Sequence, residues 1–308
     1  MKKHITLYFL LIFGVCIALF HNQIVTFLLN YVILKKEIVI QDTNQYSLGN
    51  NYTFLQETDN FEPTSKQDLI NIIYTYLDRG WENFSFYCES STYPKCIYDV
   101  KEIANDSNIL SSINNFVHPF NSYDKLYITI NNFGKVTIET QRLYEANEQI
   151  LLNELIDQII DELITEDMTD RDKIKVIHDY IINNSVYDEE RANAIKNLES
   201  LDNESSSHKA IGPLVDGKAL CSGYSDAMAL FLSKLGIKNY KISSTNHVWN
   251  FVNLDGTWYH LDLTWDDPVV STHENILLHD FFLITTEELE KIDLTQHEFD
   301  KNIYIEAK

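Results

Sequence analysis

Leu220-Cys221-Ser222-Gly223-Tyr224, Asn246-His247-Val248-Trp249-Asn250 and Trp258-Tyr259-His260-Leu261-Asp262-Leu263-Thr264-Trp265-Asp266-Asp267-Pro268 decide how this chain is read. All three lie in one stretch, Gly217 to Pro268. In order, they present a cysteine, a histidine and a carboxylate, which are the parts of a nucleophile, its base and an orienting group. A lone cysteine at the start of a helix is usually a small core residue. A lone histidine on a strand is usually structural. Here the order, the helix placement and the strand pairing point the same way.

A thiol attacks an acyl carbon as thiolate, so its surroundings must favour negative charge. Cys221 precedes Tyr224, Ala227, Met228, Phe231 and Leu235, which fall on one helical face. Gly236 follows, where a left-handed cap belongs. Cys221 is therefore expected in the first turn of a helix, where free N–H groups and the macrodipole favour an anion. Its own N–H is a natural oxyanion donor. Residues 247–254 and 257–265 read as two strands joined by Asp255-Gly256, a type I′ hairpin signal. Leu254 then faces Thr257, and paired residue numbers share the sum 511. Asp262 faces Trp249, with His247 two residues further along the same face. Such diagonal neighbours lie about 7–8 Å apart, within reach of long side chains. Asp262 is expected to accept the Nδ1–H of His247 and leave Nε2 for Cys221. His260 is the reserve base. His178, His208, His273, His279 and His297 lack comparable context and are read as structural. No grouping has metal-ligand spacing, no phosphate-binding glycine loop is present, and no cofactor is expected.

The three segments together resemble the signature segments of the transglutaminase-like superfamily. The resemblance covers roughly Asn147 to Phe282, under half of the chain. It implies a papain-like α+β core, helices packed on an antiparallel sheet, with Cys221 as nucleophile, His247 as general base and Asp262 as orienter. The superfamily includes protein cross-linkers, peptidases, deamidases, glycanases and members without activity, so the resemblance does not fix the reaction. The second oxyanion donor has no evident counterpart.

The remainder reads as tether and support. The chain has 308 residues and a formal net charge of −22, which suits one or two globular domains. Removing the four Lys and one Glu of residues 1–37 leaves 20 basic and 45 acidic residues. That balance argues against a nucleic-acid partner, because phosphate contacts need basic surface. It leans towards cationic substrates, although solubility alone explains it. Ile5 to Phe20 is an uncharged run, and Ile24 to Leu34 is apolar again. A span of about 20 such residues crosses a bilayer. With Lys2 and Lys3 ahead of it, the expectation is an uncleaved single-pass anchor over 1–37, with the rest extracytoplasmic. Residues 38–61 read as a spacer, 62–145 as a small α+β domain without recognised chemistry, and 146–308 as the transglutaminase-like domain.

Within 62–145, Ser65 caps a helix reaching Leu77, and Leu126–Ile130 and Lys135–Ile138 form a hairpin. Cys88 and Cys96 are a disulfide candidate in an oxidising compartment. Further on, helices are expected over Asn147–Ile164 and after Thr169. Residues 189–208 read as a mobile loop leading into Ile211-Gly212-Pro213-Leu214, which would shape an acyl pocket. Residues 276–283 complete the sheet, and the tail from Glu287 is merely charged. Taken together, this is a membrane-anchored thiol acyltransferase or hydrolase acting on a protein or peptide. The alternatives are an envelope cysteine peptidase and a silent binding module of the same fold.

Overall fold

A computed structural model describes residues 2–28, 40–199, 206–268, 276–293 and 295–308. Helix α1 runs from Lys2 to Leu28. Its side chains are described at Tyr8 and over residues 12–28, and Phe13, Leu19 and Phe27 among them are exposed. Among the described residues, no helix is long and apolar enough to cross a membrane. The expected span over Ile5–Leu34 thus finds no support here. Its residues 29–34 lie outside the described ones.

The first folded region holds α2 (Lys66–Asp78), β1 (Asn83–Tyr87), α3 (Cys96–Asn105), α4 (Ser107–Asn115), β2 (Tyr123–Ile130) and β3 (Lys135–Arg142). Ser65 caps α2 through a capping box with Asp68, so two otherwise orphaned N–H groups are satisfied. The strands form an antiparallel sheet in the order β1-β3-β2. Cys88 and Cys96 are joined by a disulfide that ties the end of β1 to the start of α3.

Next come α5 (Ala146–Leu163), α6 (Asp170–Asn183), β4 (Val186–Tyr187), α7 (Glu189–Lys196), β5 (Lys218–Ala219) and α8 (Cys221–Lys234). They are followed by β6 (Asn239–Ser243), β7 (Val248–Leu254), β8 (Thr257–Leu261), α9 (Leu263–Asp266), β9 (Phe282–Ile284) and α10 (Thr286–Ile292). The last four strands make an antiparallel sheet in the order β6-β7-β8-β9. The fold is α+β, with helices and antiparallel sheets, as expected.

Both faces of this sheet are covered, which is why β6 and β7 are buried along most of their length. Tyr240, Ile242, Trp249 and Phe251 belong to a core shared with Leu55, α2, the three-stranded sheet and Tyr304 of the tail. Val252 and Leu261 face the other way, onto Ile156 of α5, Ile177 of α6 and Phe231 of α8. Burying each such side chain is worth about 1.5–3 kcal/mol, and the sheet contributes to the cores on both of its faces.

Three expectations are corrected. Residues 40–60 are not a free spacer: Leu55 is fully buried, and Trp81 donates to the Gln41 carbonyl at 2.9 Å. Aromatic and aliphatic side chains there find an apolar face to cover. The expected loop after Tyr187 begins with α7, because Asp188 caps it by accepting from the Arg191 N–H. The tail is not simply a solvated charge run, since Phe299, Tyr304 and Ala307 are buried in the core.

One close approach fixes how α8 starts. A Cβ on Gly223 would sit 2.3 Å from the Ser207 carbonyl oxygen and 3.1 Å from that of Lys209. The Leu220 N–H donates to the same Ser207 carbonyl at 2.7 Å. Gly223→Ala gains about 1 kcal/mol of helix propensity but must displace backbone, which costs about 1–3 kcal/mol and locally disturbs Cys221. The expected result is a lowered melting temperature in spite of the better helix former, measured by thermal unfolding against the native chain.

Candidate active site

Cys221 is the first residue of α8, whose leading N–H groups have no partner within the helix. Leu220 before it is extended, which turns the chain from β5 into the helix. Gly236 closes α8 with φ +73°, as expected.

The hairpin has the expected register. Leu254 pairs with Thr257 and Asn250 with Leu261. Asp255 and Gly256 have φ of 51° and 89°, the two left-handed residues of a type I′ turn. His247 lies just before β7, and Asp262 lies just beyond β8 as the N-cap of α9.

The structure brings the three residues together. His247 Nε2 lies 2.5 Å from Asp262 Oδ2, both buried, and the ring also hydrogen-bonds Cys221. The nitrogen assignment differs from expectation. Asp262 caps a helix rather than continuing the strand, so its carboxylate meets the far nitrogen of the ring. Nδ1 is left for the thiol. The ring stacks on Trp249 at 17° between planes and 5.7 Å between centroids. Oδ1 of Asp262 accepts the Thr264 N–H at 2.9 Å and the Trp265 N–H at 3.3 Å.

Burial by itself would discharge His247, but the Asp262 charge and hydrogen bond, aided by Cys221, outweigh it and push the ring up to about 10. Burial likewise opposes charge on Asp262, and the His247 and His297 partners overcome it, holding the carboxyl well below its ordinary range. The pair is thus an imidazolium–carboxylate at neutral pH, and an imidazolium beside a thiol favours the thiolate. The folded value of His247 exceeds its ordinary 6.5, so its contribution to stability is complete below pH 6.5 and fades as pH rises towards about 10. A melting series from pH 6 to 11 should fall across that window. In the Asp262→Asn chain that part of the fall should largely disappear.

His260 does not take the base's place. It accepts from Trp249 Nε1 at 3.0 Å and bonds Thr286 Oγ1 at 2.9 Å, and burial pulls it down to about 3. It is a neutral structural ring. Asp266 is buried against His178 and the Phe281 N–H, and Asp267 accepts from the Tyr224 hydroxyl. His297 was read as structural, yet it reaches Asp262 Oδ2 at 2.8 Å. Its sequence signal is Asp293 four residues earlier, which bonds its other nitrogen.

Two cavities share Cys221, Asn246 and His247 in their lining. The larger, about 500 Å³, is lined by Ser107, Ser111, Ser244, Glu298, Asp300 and Tyr304, among others. The smaller, about 340 Å³, has Tyr187, Trp265, Pro268 and Gln296. Residues 211–214, expected to shape the pocket, line neither cavity. Helix α4, from the region without recognised chemistry, does line the larger one.

Two groups of described side chains converge like metal ligands: His178–Asp179–His279 and His247–Asp262–His297. Lys175 already places its ammonium 2.6 Å from Asp179 and 2.9 Å from His279 in the first. In the second, the rings and the carboxylate satisfy one another.

No family model matches the chain, and no curated protein matches it in sequence. Among solved structures it is similar to one described as "Crystal structure of a TGase", at 18% identity and a TM-score of 0.36. That match covers 55% of this chain and 52% of the other. It is also similar to a "Putative Cysteine Protease from Cytophaga hutchinsonii", at 12% identity and a TM-score of 0.27, covering 50% of this chain and 65% of that one. The chain therefore spans about half of the first and under two thirds of the second.

Proposed function

We propose that this protein is a thiol acyltransferase or hydrolase of the transglutaminase-like type, acting on carboxamide or peptide bonds. The observation that carries the reading is the buried His247–Asp262 pair beside the half-buried Cys221, with one ring nitrogen on the carboxylate and the other left for the thiol. The Cys221 sulfur attacks the acyl carbon, and the carbonyl electrons move onto oxygen. The N–H of Cys221, at the start of α8, is placed to receive that oxyanion. The C–N bond then breaks as His247 gives its proton to the leaving nitrogen, and a thioester remains. Water or an amine next attacks the thioester and gives its proton to His247, which frees the thiolate. Asp262 stays ionised and holds the ring throughout.

Glu298 and Asp300 line the larger cavity, where no Lys or Arg is found among the lining residues. They favour a primary amine that arrives protonated and loses that proton before it attacks, and hence transfer over hydrolysis. A peptidase is the second reading, favoured by two cavities that share the thiol and offer room for more than one residue of a peptide. Glutamine-containing peptides should be incubated with the full chain, with and without a primary amine, and the products weighed. A mass gain equal to amine minus ammonia supports transfer. Backbone cleavage supports the peptidase. With Cys221→Ala, both products must vanish. Product formation by that variant would sink the reading.

The same proposal places the body outside the cytoplasm and attached to a membrane through its N-terminal segment. Its support is the uncharged Ile5–Phe20 run and the Cys88–Cys96 disulfide, which oxidising compartments sustain. Intact cells should expose Lys308-tagged protein to an external protease, and the protein should sediment with membranes. Release by salt alone would overturn the attachment.

A further inference from the structure

We propose that His297, held by Asp293, is a positioning residue that sets how tightly Asp262 retains the proton of His247. This rests on the catalytic reading above and deepens it. All four hydrogen bonds to the Asp262 carboxylate are accounted for. Oδ1 takes the N–H groups of Thr264 and Trp265. Oδ2 takes His247 Nε2 at 2.5 Å and His297 Nε2 at 2.8 Å. Two imidazole rings therefore share one carboxylate oxygen, 5.2 Å apart and edge to face.

His297 is fixed on every side. Its ring is buried, stacks on Phe281 and packs against Trp249 and Trp265. Its Nδ1 lies 2.9 Å from Asp293 Oδ2. Asp293 is in turn held by the N–H groups of Thr295 and Gln296. The titratable groups facing the ring are Asp262, Asp293, His247 and, at longer range, His260. Both ring nitrogens point at carboxylate oxygens, which can only accept. The Nε2 contact occupies part of the same oxygen that holds His247.

The consequence is a competition. Asp262 draws the proton onto His247, and a second hydrogen bond on the same oxygen weakens that pull. A general acid must release its proton to the leaving group and take it back within a turnover. An unopposed carboxylate would hold it too firmly. His297 supplies the opposing hydrogen bond without touching substrate, because it lies behind Asp262 and lines neither cavity.

The test is the pH profile of Cys221 alkylation by iodoacetate in the full chain, read by mass spectrometry. An anionic reagent is drawn to a thiolate–imidazolium pair, so its rate falls when His247 loses its proton. His297→Phe keeps the ring's bulk and removes the hydrogen bond to Asp262 Oδ2. It should move that upper limb up by roughly one pH unit. Asp293→Asn weakens the hold on the other side of His297 and should move the limb in the same direction, by less. It also serves if the Phe variant does not fold. If both variants melt lower but keep the wild-type limb, His297 is only a structural ring and the inference falls. If the wild-type chain shows no selective, bell-shaped alkylation of Cys221, the catalytic reading itself fails and the inference goes with it.

Discussion

Replacing Asp262 by Asn is expected to lower turnover by about 10²–10⁴-fold, because the base loses both its charge partner and its fixed tautomer. An Asn amide facing His247 Nε2 would drive the proton to Nδ1, the position that must accept one when the second nucleophile attacks. Stability should suffer too. The Asp262 carboxylate accepts from His247, His297, Thr264 and Trp265. Losing the charge at such a buried hub costs about 1–3 kcal/mol. Asp267→Asn is the control. That carboxyl accepts from Tyr224, and its change should leave turnover within about tenfold, an effect of under ~1.4 kcal/mol. Product formation from a glutamine peptide measures the first effect, and thermal unfolding the second. Near-normal turnover in the Asp262→Asn chain would remove Asp262 from the site.

The largest effect on stability is expected away from the thiol. Lys241 of β6 is buried and forms an ion pair with Asp226 of α8. Asp226 also accepts from the Tyr144 hydroxyl at 2.7 Å, and that hydroxyl accepts from the Ala210 N–H at 2.8 Å. One buried carboxylate thus joins a strand, the helix bearing Cys221 and the loop ahead of it. Lys241→Met leaves that carboxylate buried without its counter-ion, a loss of about 3–5 kcal/mol. At this chain length the melting temperature should drop by roughly 6–20 °C. Adding Asp226→Asn should restore a good part, because the orphaned charge goes with it. A single mutant that melts within about 2 °C of the native chain would show that the pair contributes little.

How much of this was legible follows from the range of the interactions. The helix from Cys221 and the hairpin register were readable because each is fixed by residues a few positions apart. Asp255-Gly256 alone sets the pairing that carries His247 towards Asp262. The nitrogen that meets the carboxylate was not readable. It depends on Asp262 capping α9 instead of extending β8, and that choice is made by side-chain bonds to Thr264 and Trp265. His297 was hidden by distance, 35 residues from its partner, in a segment whose charge suggested only solvation. The wall formed by α4 was hidden for the same reason. Asn115 reaches Ser243 and Tyr304 across 128 and 189 positions. Lys241 in Asn239-Tyr240-Lys241-Ile242-Ser243 reads as the polar face of a strand, and nothing local announces that both faces are covered.

The tail has a consequence for how the protein is made. Cys221, His247 and Asp262 leave the ribosome well before His297, Phe299 and Tyr304, and these later residues complete the back of the site and the core beside it. A nascent chain therefore carries its thiol for some time without a finished acid–base partner. The order in which the residues appear therefore sets the order in which the site is assembled, thiol first and the ring behind Asp262 last.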